Sequence, residues 1–262
     1  MDQSKGWKDR RKKAIVSIMV WILLLAASLY LLNLLDATFQ SNPQGQSMLS
    51  RTWAGYVVET DLEKTHEQIV SINASWTVPR IRVSSTDAFS STWIGIGGRF
   101  DQTLIQAGTE HDSVNGNEYY SAWYELLPGN AVRITDMSVS PGDLITASIT
   151  LVDADTNMWS VKVYDAGKKQ GFQQTFAYNS SQVSSEWIVE SPTLDGQISS
   201  LANFGKLTFK DAYVKIGDNV GTISSFSYSQ VIMTNDLSVE LASVSPLSAD
   251  GSGFNVTYLK SN

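Results

Sequence analysis

Cysteine is absent from the sequence, so neither disulfide staples nor thiolate chemistry is available to the fold. Histidine is scarce: His66 and His111 are the two among 262 residues. They form no His-Glu-x-x-His or comparable cluster, which removes the usual ligand set of a zinc hydrolase. Each reads as an exposed loop residue rather than a ligand. The chain also lacks a Gly-x-Ser-x-Gly elbow, an Asp-Thr-Gly or Asp-Ser-Gly signature, and a glycine loop placed to cradle phosphate between strand and helix. Internal repeats and low-complexity tracts are missing, and past residue 51 no sustained helical stripe occurs. What remains is carboxylate, amide and aromatic chemistry, with no warrant for a metal or cofactor.

Charge is unevenly spread. Lys5, Lys8, Arg10, Arg11, Lys12 and Lys13 make residues 1–13 a basic tail, and residues 14–35 contain no charged side chain. As a helix the second stretch is roughly 33 Å long, enough to cross a bilayer, and too long for the apolar segment of a cleaved signal peptide. It is expected to be a single transmembrane anchor with a cytoplasmic N-terminus, because cations cluster before it and none follows until Arg51. Residues 36–50, with Ser41-Asn42-Pro43 and Gln44-Gly45-Gln46, read as a linker. Residues 51–262 then form one extracytoplasmic domain. The tail holds six cations and two anions, so the chain beyond it carries −11 against −7 for the whole. That acidity disfavours nucleic acid as a partner and suits work in acid, where carboxylates lose their charge. Nothing in the sequence fixes an oligomeric state.

The domain alternates with period two. In Gln68–Val78, the side chains of Val70, Ile72, Ala74, Trp76 and Val78 share one face, and Pro79 ends the run. Comparable runs are Trp53–Val58, Ser91–Ile96, Gln102–Glu110, Glu118–Leu126, Ala131–Val139, Leu144–Val152, Met158–Asp165, Gln173–Tyr178, Glu186–Val189, Leu207–Val214, Ser229–Met233, Ser238–Ser243 and Gly253–Tyr258. Turn chemistry such as Asp112–Asn117 and Pro141-Gly142-Asp143 separates them. The spacing predicts an all-β sandwich or barrel, with one short helix expected near Ser199–Phe204.

Within Ser185–Glu190, strand alternation sends Trp187 and Val189 to a core face and Glu186, Ile188 and Glu190 to the other. The two carboxylates are roughly 13 Å apart along a strand, so lost hydration rather than mutual repulsion would raise their pKa values. A raised Glu is a general acid/base; a solvated Glu-x-x-x-Glu face is the plainer alternative.

Several segments resemble the glutamic peptidases, or eqolisins, in the same order: Trp53-Ala54-Gly55-Tyr56, Ala74–Pro79, Thr92–Gly98, Leu104–Gly108, Ala122–Glu125, Glu186–Glu190, Asn203-Phe204-Gly205 and Leu207-Thr208-Phe209. The resemblance implies an antiparallel β-sandwich of concanavalin-like or jelly-roll type, with two large curved sheets and a substrate groove on one face. It implies an acid endopeptidase, insensitive to pepstatin, acting on polypeptide substrates; together with the anchor read from residues 14–35, the expectation is a membrane-anchored enzyme. By motif the catalytic pair falls on Gln106 and Glu186. Gln106 shares a strand face with Leu104 and Gly108, and its neutral amide is suited to donate to an oxyanion; Glu186 is suited to take a proton from water. Trp93, Glu110, Tyr119, Trp123 and Glu190 are candidate groove or supporting residues, each with core packing or a solvated carboxylate as its alternative. The family's Gly-Ile-Asp-Gly reads Gly95-Ile96-Gly97-Gly98 here, removing one carboxylate. A non-catalytic extracytoplasmic sandwich binding glycans or peptides is the competing reading, and a glycoside hydrolase a weaker one.

Overall fold

A computed structural model describes residues 44–60 and 67–262. The tail 1–13, the anchor 14–35 and linker residues 36–43 lie outside the described residues, as does His66. No helix among the described residues is long and apolar enough to cross a membrane.

The described chain is all β. Its strands are β1 Gln44–Ser50, β2 Trp53–Glu59, β3 Ile69–Thr77, β4 Ser91–Gly97, β5 Leu104–Val114, β6 Asn117–Leu126, β7 Val132–Ile134, β8 Leu144–Asp153 and β9 Met158–Asp165. There follow β10 Gln170–Ala177, β11 Ser184–Glu190, β12 Thr193–Leu194, β13 Gln197–Ile198, β14 Lys206–Ile216, β15 Asn219–Thr222, β16 Tyr228–Thr234, β17 Glu240–Val244 and β18 Phe254–Tyr258. The strand pairings are antiparallel except that β1 lies parallel on β16. Hydrogen bonding runs in one path, β10-β9-β8-β3-β14-β18-β17-β16-β2-β11-β4-β5-β6-β7, with β1 and β15 attached at β16 and β14 and β12–β13 as a separate hairpin.

The path folds over on itself. β4 and β5 meet β8 and β9 without strand pairing between them, as β11 meets β3. The two layers expected from the sequence are therefore continuous through β17 and β18 rather than separate sheets. Between them lies a core that includes Trp76, Ile94, Ile105, Ala107, Trp159, Trp187, Val189 and Phe209. Burying one Trp here is worth about 5 kcal/mol before ordering costs. Indoles also tie the layers by polar contacts: Trp187 Nε1 donates to the Asn73 carbonyl at 3.1 Å, and Trp76 Nε1 to Thr109 Oγ1 at 3.0 Å.

Four expectations are corrected. Linker residues 44–50 are strand β1, since Met48 finds apolar partners on the sheet and its backbone finds β16. Ser199–Phe204 is extended, because bridges Phe89–Leu201 and Arg82–Asn203 supply its backbone partners. The run 131–139 narrows to β7, ended by a turn at Thr135-Asp136. His111 is on β5 and 1% exposed, not in an exposed loop; Thr109 Oγ1 lies 2.8 Å from its Nε2, and burial pulls its pKa down to about 3.

Candidate active site

The layer β2-β11-β4-β5-β6 has a face turned away from the main core, and strand register decides what stands there. Directly opposed residues on neighbouring strands point the same way. One row reads Val57, Glu186, Gly95, Gln106 and Glu125. The next reads Gly55, Ile188, Trp93, Gly108 and Trp123, and the next Trp53, Glu190, Ser91, Glu110 and Ser121. Glu186 and Gln106 thus share a row with one strand between them, about 10 Å apart at the backbone. The intervening residue is glycine for want of space: a Cβ at Gly95 would sit 2.8 Å from Leu104 Cδ1 and 3.0 Å from Trp93 Cζ3. No side chain separates the amide from the carboxyl in their row.

A second apolar cluster of Val57, Trp93, Leu104, Trp123, Ile188 and Val231 packs on this face, with Met48, Trp53 and Leu127 against it. Beside it opens a groove of about 310 Å³ lined by Gln106, Glu110, Trp123, Glu125 and Glu190, walled by Trp53, Leu104 and Leu127. Four of the residues singled out by sequence, Gln106, Glu110, Trp123 and Glu190, meet there. Trp93 is fully buried behind the groove; its Nε1 donates to Glu190 Oε2 at 2.7 Å, and its ring meets Trp53 edge-on at 5.1 Å. Glu186 and Tyr119 do not line the groove: Glu186 is completely buried, and Tyr119 shares the strand face of Trp123 but lies four residues along β6, 53% exposed.

The polar groups are held individually. Gln106 Nε2 donates to Glu125 Oε2 at 2.6 Å, and Ser121 Oγ to Glu110 Oε2 at 2.9 Å. Gln106 is 5% exposed, and among the described residues its Oε1 has no partner. Glu186 is completely buried, and neither of its oxygens has a hydrogen-bond partner among the described residues. Burial drives its pKa well above the usual carboxylate range; the Ser184 hydroxyl opposes this without meeting hydrogen-bond geometry, the charges of Glu59 and Asp101 add to it, and Arg99 counters it. Burial likewise pushes Glu190 up to about 7, against the hydrogen bonds from Trp93 and Trp53. Glu125 is also raised, by burial, with the Gln106 amide pulling the other way.

Glu125, the partner of the Gln106 amide, was not singled out by sequence. The signal for it is Asn115-Gly116. Both residues have positive φ, 51° and 74°, as a tight primed turn between two strands requires. That turn pairs Val114 with Asn117, and counting outward sets Gln106 opposite Glu125.

The sequence profile of the peptidase A4 family matches residues 51–258. The chain belongs to this family, the glutamic peptidases. It is a peptide-bond hydrolase of the glutamic, acid-peptidase type. Aspergillopepsin-2 from Aspergillus niger is 25% identical over 234 residues, covering 80% of this chain and 78% of that one. Scytalidopepsin B from Scytalidium lignicola is 24% identical over 214 residues, covering 78% and 74%. Among solved structures, scytalido-glutamic peptidase with a transition-state analogue inhibitor superposes with a TM-score of 0.67 at 19% identity, covering 80% of this chain and 99% of that one. Aspergilloglutamic peptidase from Aspergillus niger gives 0.58 at 26% identity, covering 66% and 99%. The peptidase's β1 precedes the matched residues.

Proposed function

We propose that the protein is a membrane-anchored endopeptidase in which Glu186 is the general base and Gln106 the oxyanion donor. The observation that supports this is the shared row, in which Gly95 is the one residue between Glu186 and Gln106. Ionised Glu186 takes a proton from a water molecule whose oxygen adds to the scissile carbonyl carbon. The resulting oxyanion receives a hydrogen bond from the Gln106 amide, whose second N–H remains available beside the one given to Glu125. Protonated Glu186 then passes its proton to the leaving nitrogen as the C–N bond breaks. A carboxyl raised by burial is a stronger base once ionised than a free one, which matches it to proton transfer from water. Polypeptides are the substrates on this reading. One solved relative is a complex with the tripeptide Ala-Ile-His and another holds a peptide-based transition-state analogue.

The apolar run 14–35 and the basic tail support a single-pass anchor with the peptidase unit outside the cytoplasm. The full chain, purified in detergent, is assayed on denatured casein from about pH 2 to pH 7, a range spanning Glu titration, with and without pepstatin. Cleavage is expected in acid and is expected to survive pepstatin. Gln106→Ala should lower kcat by about 10²–10³, and Glu186→Gln should abolish it. Full activity in folded Glu186→Gln would falsify the assignment. In cells, the wild-type chain should remain in the membrane fraction after alkaline extraction and a variant lacking residues 14–35 should not; equal recovery of both removes the anchor.

A further inference from the structure

Glu186 is a carboxyl without hydrogen-bond partners in a fully buried position, yet a general base must lose its proton. The row beside it contains the means. Ser184, two residues before Glu186 on the same face of β11, stands opposite Glu59 of β2. Into this row the turn between β4 and β5 delivers Arg99. Its backbone N–H donates to Ser184 Oγ at 3.4 Å, its Nε donates to Glu59 Oε1 at 3.3 Å, and its guanidinium lies 4.9 Å from the Phe100 ring centroid. The side chain is 33% exposed, so the charge is only partly screened.

This placement depends on two glycines. Gly97 and Gly98 both have φ of +92°, and a Cβ at Gly97 would lie 2.2 Å from the Thr103 carbonyl oxygen. Any side chain at 97, aspartate included, forces this turn to another path. Glycine at 97 therefore permits the turn path that brings Arg99 to Ser184 and Glu59. The charged groups around Glu186 are few. β2 contributes Glu59, the β4–β5 turn contributes Arg99 and Asp101, β6 contributes Glu125 in the same row, and β11 contributes Glu190 two rows on. From β4, β5 and β16 the facing residues are Gly95, Gln106 and Ser229, which are uncharged. Among the described residues, Arg99 is the one cation in that set.

We infer that Arg99 is a positioning residue of this peptidase: held by Ser184 at its backbone N–H and by Glu59 at its side chain, its guanidinium offsets part of the negative field of Glu59 and Asp101 and so favours buried Glu186 as a carboxylate. The inference rests on Glu186 being the base. Arg99 touches no substrate atom; it acts through Glu186, with Glu59 setting how strongly. Glu59 and Asp101 oppose the ionised form of Glu186, each more strongly than Arg99 favours it, so the cation offsets part of their effect.

The test is the pH dependence of kcat/KM of the full chain in detergent, which reports ionisations of the free enzyme. Activity rises as Glu186 ionises, so Arg99→Gln should move the ascending limb to higher pH by about one unit, the lower end of what a neighbouring opposite charge exerts. Glu59→Gln should move it to lower pH, and Arg99→Lys should stay near wild type. A residue that merely shapes the turn would lower kcat at every pH and leave the limb in place; that result overturns the inference. In parallel, the carboxyl carbon of Glu186 is titrated by NMR in ¹³C-glutamate-labelled protein and identified by its loss in Glu186→Gln. This readout needs no activity, so it tests Arg99 even if Glu186→Gln proves active and the base assignment fails. Should Arg99→Gln not fold, Glu59→Gln and Arg99→Lys decide: an unmoved titration in Glu59→Gln counts against the field.

Discussion

Gln106 shows how much depends on one hydrogen bond. An amide presents nitrogen or oxygen to its surroundings with equal ease, and only its partners choose. Glu125, an acceptor when ionised, takes the Nε2 side at 2.6 Å and so leaves the second N–H as the group to meet an oxyanion. Glu125→Gln replaces an acceptor by a group that also donates, which permits the flipped amide. A charge-assisted bond worth about 1.5–3 kcal/mol is lost. We expect kcat to fall about tenfold or more with KM little changed, as for an interaction made in the transition state; steady-state kinetics on a peptide substrate check it. The sequence brought Gln106, Glu186, Glu110, Trp123 and Glu190 forward because motif order and strand alternation are local facts. It did not bring Glu125 or Arg99 forward. Glu125 becomes visible once the turn at Asn115-Gly116 fixes a register nine residues away, and Arg99 through a turn whose path no periodicity encodes. Tyr119 stands apart from the groove lining for the opposite reason. Sharing a face with Trp123 places a side chain on the right side of the sheet, not at the right position along it.

At the scale of elements, the strands with a buried face were the legible ones, since alternation there is enforced by the core. β1 was not. Its sequence, QGQSMLS, carries a single partly buried apolar anchor and otherwise polar or exposed side chains, and its partner β16 lies some 180 residues away. Strand character there comes from pairing rather than pattern. Met48 is its contact with the apolar cluster beside the groove, whereas neighbouring Leu49 is 62% exposed. Met48→Ala should therefore lower unfolding free energy by about 1 kcal/mol, below the range for a fully buried Met, and Leu49→Ala should leave it unchanged within about 0.5 kcal/mol. Denaturant midpoints of the two variants provide the comparison; equal effects would mean that β1 contributes only its backbone.

Across the whole molecule, buried acids give folding a pH dependence. Burial pushes Glu190 and Asp112 up to about 7, from 4.5 and 3.8, and Glu186 is raised as well. A raised folded-state pKa means that the native protein holds protons the unfolded chain releases. For Glu190 and Asp112 the contribution to stability is complete below the unfolded values and is lost as pH rises through about 7, and for Glu186 it runs in the same direction. His111 works in reverse: it is buried neutral, so its contribution is complete above 6.5 and is lost as pH falls toward about 3. Three acids outweigh one base between about pH 5 and 7. Tm of the protein in detergent should accordingly be higher at pH 5 than at pH 7.5, and the sign should survive the Glu186→Gln substitution because Glu190 and Asp112 remain.

The folded-over ladder has one more consequence. A peptidase shares its solution with copies of itself, each a chain of susceptible bonds. A peptide must be extended and unpaired to lie in a groove, and here strand after strand is extended but already spoken for by its neighbours along one path. Self-digestion of the ladder then has to wait for strands to part. The enzyme's working lifetime is set by how often its own ladder opens, not by how many of its bonds suit its specificity, and protons held by its buried acids help to keep that ladder shut.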